Sequence, residues 1–198
     1  MKINPKDEVQ NWVSRTMEKE SKYQDYVEFV QKTVDGSYIY TGPIFSYGEK
    51  NTLPFGRYKA VLWICSLLLM AVSLASGTLY IAGMNSAWQV IPLGLEIIMA
   101  YMTAWAAIRL TFTKQPMKIF EYRPTVGALP GRAQLTMYFA IAGFLAMMVY
   151  VFLHGFEEKV LATLVYMLAR IVMAITSALL FKTSDLNDWD ETDAVEAM

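Results

Sequence analysis

The chain has 198 residues, is 55% hydrophobic and carries a formal net charge of −1. Its mean hydropathy is +0.31, whereas soluble domains are typically about 45–50% apolar. One cysteine and one histidine exclude an internal disulfide and a thiolate metal site, and the near-neutral balance gives no case for nucleic acid as a partner.

The apolar excess divides the chain into three regions. Residues 1–58 are polar, with eight acids and eight bases. Residues 59–181 hold four long apolar runs, and residues 182–198 form an acidic tail. The start, Met1-Lys2-Ile3-Asn4-Pro5-Lys6-Asp7, reads as having no cleavable signal peptide, because no apolar stretch follows it. The first apolar run is expected to direct membrane insertion itself.

In chain order, the first predicted element is an amphipathic helix over 8–33. Val9, Trp12, Val13, Met17, Val27 and Val30 recur at steps of three and four and mark one face. Its polar face mixes both charges, so the face is expected to dock on protein rather than lie in the lipid headgroups. An aromatic segment follows at 37–56. Two β-prone runs flank Gly42-Pro43, which predicts a small hairpin or an irregular aromatic loop buried at the interface.

The four runs are 60–84, 88–110, 135–153 and 160–181. A helix of about 20 apolar residues crosses the ~30 Å hydrocarbon layer, so each run is read as a transmembrane helix. Arg57 and Lys59 precede the first run, and the loop 111–134 holds Lys114, Lys118, Arg123 and Arg132. The short segments after the first and third runs lack this basic excess. The positive-inside bias therefore places both termini and the long loop in the cytoplasm of a cell (plasma or inner) membrane. Trp63, Trp105 and Tyr138 mark the inner boundary; Tyr80, Trp88 and Tyr150 mark the outer one. The fold class predicted is an all-α integral membrane protein, a four-helix transmembrane bundle with the amphipathic helix before it. The tail, rich in Asp and Glu with little to bury, is expected to lack structure.

Two ionisable residues interrupt the runs. Glu96 shares a helical face with Ala100, Thr103, Ala104 and Ala107; Arg170 shares one with Thr163, Tyr166, Ala174 and Ser177. Ionisable groups inside a span are costly and usually face inward and pair. Glu96 is eight residues beyond Trp88 and Arg170 ten beyond Val160, which at ~1.5 Å per residue puts them about 12 and 15 Å deep. An intramembrane ion pair Glu96–Arg170 is therefore expected, with Thr103, Thr163, Tyr166 and Ser177 as polar lining. His154, Glu157 and Glu158 read as a solvated turn. No catalytic motif, metal site or cofactor motif is found. The function expected is that of a non-enzymatic subunit or accessory protein of a membrane complex, in contact with the bilayer and with a protein partner or further copies of itself. The alternative is a small homo-oligomeric transporter or channel built around Glu96–Arg170.

Overall fold

A computed structural model describes residues 29–32 and 38–193. The elements in chain order are β1 (Val30–Lys32), β2 (Tyr38–Tyr40), β3 (Pro43–Tyr47), α1 (Phe55–Thr78), α2 (Ala87–Phe112), β4 (Met117–Lys118), α3 (Ile119–Tyr122), a π-helical turn (Arg123–Gly127), α4 (Leu129–His154), α5 (Val160–Asp185) and β5 (Trp189–Asp193). The chain is mostly helical, and four of its helical segments are long and apolar enough to cross a membrane.

The four long helices pack in a ring: α1 on α2, α2 on α4, α4 on α5, and α5 back on α1. Their outer surface is apolar, unlike that of a water-soluble bundle, while the mainly apolar interior also holds polar groups. Ser66, Ser73, Thr103, Thr136, Thr163, Arg170 and Ser177 are buried, while Ile64, Leu67, Ile98, Leu145, Leu168 and Ile175 are exposed. Several of the buried hydroxyls bond back to their own helix, although those of Ser66 and Ser177 do not. Ser73 donates to the Met70 carbonyl (3.0 Å), Thr103 to Met99 (2.8 Å) and Thr136 to Arg132 (2.8 Å), the back-bonding that lets Ser and Thr sit inside helices. Small residues such as Ala100, Ala107, Ala133 and Ala140 are buried between helices, as close helix packing in lipid favours.

One end of the ring is closed by a three-stranded antiparallel sheet of order β4-β3-β5. It joins three distant segments, with Phe45 opposite both Met117 and Glu191, and Tyr47 opposite Trp189. Aromatic side chains fix it to the helices. Phe45 stacks on Tyr122 (centroids 4.0 Å), and Tyr47 meets Phe55, Tyr58 and Trp189 at 5.1, 5.3 and 5.4 Å. The Tyr47 hydroxyl donates to the Leu53 carbonyl at 2.7 Å and lies 2.7 Å from Asn187 Oδ1. Burial raises the Tyr47 pKa, so this hydroxyl keeps its proton.

Several expectations need correction. The fold is not purely helical, because the sheet and the β1–β2 pair add strands. The predicted helix 8–33 falls largely outside the described residues, and its end is a strand: Val30, Gln31 and Lys32 pair with Tyr40, Ile39 and Tyr38. No hairpin forms across Gly42-Pro43; β2 pairs with β1, and β3 with β4 and β5. Within the loop 111–134, residues 117–122 are readable from the sequence as a short strand or interfacial piece, and β4 forms there; α4, however, starts at Leu129 rather than 135. Arg132 belongs to α4, where its guanidinium donates to the Met102 and Pro124 carbonyls at 2.8 and 3.2 Å. The tail is not structureless up to Asp193: Trp189 packs into the aromatic cluster and β5 completes the sheet. For the strands, long-range pairing overrides a local pattern that hydropathy alone cannot resolve.

Candidate functional site

Glu96 lies two and a half turns into α2, and Arg170 near the middle of α5. These helices stand opposite each other in the ring, so a contact between them must cross its centre. It does: Arg170 Nη1 meets Glu96 Oε2, and both side chains are 0% exposed. The space for this crossing comes from α4. A Cβ added to Gly143 would lie 3.4 Å from Arg170 Cζ and Nε and 3.6 Å from Pro92 Cβ. The guanidinium thus lies against the bare backbone of Gly143, which the α2 proline also approaches.

Arg170 extends the network toward the end of the ring opposite the sheet. Its Nη2 donates to the Tyr166 hydroxyl, one turn earlier on α5, and its Cζ is 4.3 Å from the Tyr166 ring centroid. Tyr166 in turn donates to Gln89 Oε1 at 3.3 Å. The result is a buried polar ladder, Gln89–Tyr166–Arg170–Glu96, running from the first turn of α2 to the middle of the bundle. Four of its atoms or neighbours lack hydrogen-bond partners: Glu96 Oε1, Arg170 Nε, Gln89 Nε2 and Ser177 Oγ.

At the end away from the sheet, the ladder is closed by the α1–α2 connection. Ile81 and Ala82 are buried (2% and 0% exposed). Ile81 packs with Met147 and Tyr166, and the Ala82 amide donates to Thr163 Oγ1 at 3.4 Å. This plug segment is apolar enough to resemble helix, which is why the first run reads as extending to 84; in fact α1 ends at Thr78. Gly83 holds φ +62, and Tyr150 packs so closely that a side chain there would collide with its ring. Tyr150 donates to Glu157, whose carboxylate also faces Lys159 at 3.7 Å, and Lys159 lies over the Tyr80 ring at 3.9 Å. The Tyr150 hydrogen bond first, and then Lys159 and the Gly83 amide, hold the Glu157 carboxyl below the usual carboxylate range. Glu157 and Glu158 both have positive φ, 48 and 62, a conformation uncommon outside glycine. The turn is solvated, as the sequence suggests, and it also latches the plug, through Tyr150 on Gly83 and Lys159 on Tyr80.

Of the side chains expected to line the pair, Tyr166 bonds Arg170, and Thr163 bonds the plug. Ser177 is buried two turns from Arg170 toward the sheet, and Thr103 turns back to its own helix. Sequence reasoning missed Gln89, whose amide at the head of an apolar run was the available signal, and Gly143, for which a lone glycine among bulky residues gave little. Among the described residues no three His, Cys, Asp or Glu side chains converge on a point where a cation could bind. Compared with protein-family models, curated proteins and solved structures, the chain matches none.

Proposed function

We propose that this chain is a multi-pass membrane protein of the non-enzymatic kind, a subunit or accessory protein that binds another protein through its sheet end. The sheet end faces the cytoplasm in this reading, as the basic residues around it favour. The observation that carries the proposal is the contrast between the two polar regions. Glu96 and Arg170 are charge-balanced and fully enclosed, as suits a clasp that sets helix register. At the sheet end, β5 pairs on one side with β3 and presents exposed Asp190 and Glu191, an edge strand of the sort that can recruit a further chain. In mild detergent the protein should co-purify with a stoichiometric partner, and D190K/E191K should release that partner without unfolding the bundle. A chain that purifies alone, with or without these changes, defeats the reading.

A transporter or channel is the second reading, favoured by the unpartnered polar atoms of the ladder and by the plug over it. Solute or ion flux through reconstituted vesicles, lost in E96Q/R170Q while the fold is kept, would select it.

A further inference from the structure

We propose that a groove beside the sheet end of α2 binds the phosphate of one anionic phospholipid. The groove is a shallow, open one of about 620 Å³, which suits a lipid that lies along the protein surface. Its lining combines two chemistries. Trp105, Ile108 and Phe112 of α2 are apolar, and Arg109 on the same helix, with Lys114 and Lys118 beyond its end, is cationic. Trp105 and Phe112 are 61% and 82% exposed and offer a surface on which an acyl chain can lie.

Depth places the groove at a bilayer boundary. Arg109 follows the exposed Trp88 by 21 residues on the same helix, about 32 Å at ~1.5 Å per residue, which matches the ~30 Å hydrocarbon thickness. Arg109 therefore sits where lipid phosphates lie, with Trp105 one turn deeper among the chains. Among the described residues no ion pair neutralises Arg109 or Lys114. Lys118 is held by its neighbours, its ammonium 5.1 Å and 5.9 Å from the Tyr40 and Phe120 ring centroids.

A structural reading of these cations exists: positive side chains complement the carbonyl end of a helix, here the end of α2. That end is equivalent to only about half a negative charge, and Glu121 supplies one more. Three full cations leave the groove positive. Glu121 is also engaged, accepting from the Lys118 amide at 3.3 Å. A free phosphate would satisfy the cations but leave the apolar residues unused, so the lipid is the occupant that uses both chemistries. The inference rests on α2 crossing a bilayer and is independent of the partner-binding reading above.

The test is native mass spectrometry of the full-length protein in detergent, supplied with equimolar phosphatidylglycerol and phosphatidylcholine. One phosphatidylglycerol should be retained preferentially. Each of R109Q, K114Q and K118Q should weaken that preference by roughly fivefold, the scale expected for one interfacial cation. R57Q/K59Q, which removes two cations outside the groove, should leave it intact, and W105A/F112A should reduce retention of both lipids. Equal loss in R57Q/K59Q would mean diffuse charge and no site. Displacement of the lipid by millimolar inorganic phosphate would assign the groove to a soluble anion instead. Retention unchanged in R109Q/K114Q/K118Q, with circular dichroism showing the variant folded, overturns the proposal.

Discussion

At the scale of single residues, the centre of the bundle depends on mutual neutralisation. A lone charge left in a dry core typically costs ~3–5 kcal/mol, whereas removing both members of a pair is often nearly neutral. E96Q and R170Q should each lower the folded yield and the melting temperature in detergent, and the double variant should recover most of the loss. Simple additivity of the two losses in the double would show that the groups are energetically uncoupled. Gly143 makes a narrower prediction. An alanine methyl there meets the guanidinium at 3.4 Å, close to ordinary contact, and alanine gains about 0.5–1 kcal/mol of helix preference over glycine. Gly143→Ala should therefore be close to neutral in thermal unfolding. Gly143→Leu should cost about 1–3 kcal/mol as overpacking, and less than that in the E96Q/R170Q background, where no guanidinium occupies the space.

At the scale of elements, the plug and β5 are the parts whose anchoring is local and testable. The plug residues 79–86 are tied down by the Tyr150–Glu157–Lys159 latch. Because the folded Glu157 carboxyl titrates below its ordinary value of 4.5, the latch contributes stability above that value and loses it as pH falls through the folded pKa. The protection of the 79–86 amides against hydrogen exchange, taken relative to the intrinsic rate at each pH, should fall in E157Q at neutral pH and in the unmodified protein on acidification, with no further fall when the two are combined. β5 is held by its ladder with β3 and by the rings around Trp189. Trp189→Ala should free the tail, making residues beyond Leu186 sensitive to protease while the four helices stay folded. Tyr47→Phe removes a hydroxyl bonded to Leu53, and a loss of about 0.5–1.5 kcal/mol in thermal stability is expected.

At the scale of the whole molecule, the apolar outer surface of the ring and the position of the sheet define a spanning body with two unlike ends. Reporter fusions after residues 86, 122, 156 and 198 should read outside, inside, outside, inside if the sheet end is cytoplasmic. An external signal at 122 would reverse the molecule and place the lipid groove in the outer leaflet.

The number of long helices, their approximate positions and the inward placement of Glu96 and Arg170 were legible without a structure. Each rests on a cost that local sequence states directly: about 20 apolar residues per crossing, and a charge that lipid will not tolerate. That the two charges pair was expected from their matching depths; the tertiary structure alone decided that they do so across a diagonal, because that depends on which helices are neighbours and on the room left at Gly143. It alone turned Leu79–Met84 from helix into plug, since an apolar segment looks the same to hydropathy whether it spirals or fills a hole. It also recruited Phe45, Met117 and Trp189 into one sheet. Strand pairing is bought by partners far apart in sequence, and three short segments that say little alone acquire their structure only when the helices bring them to the same end.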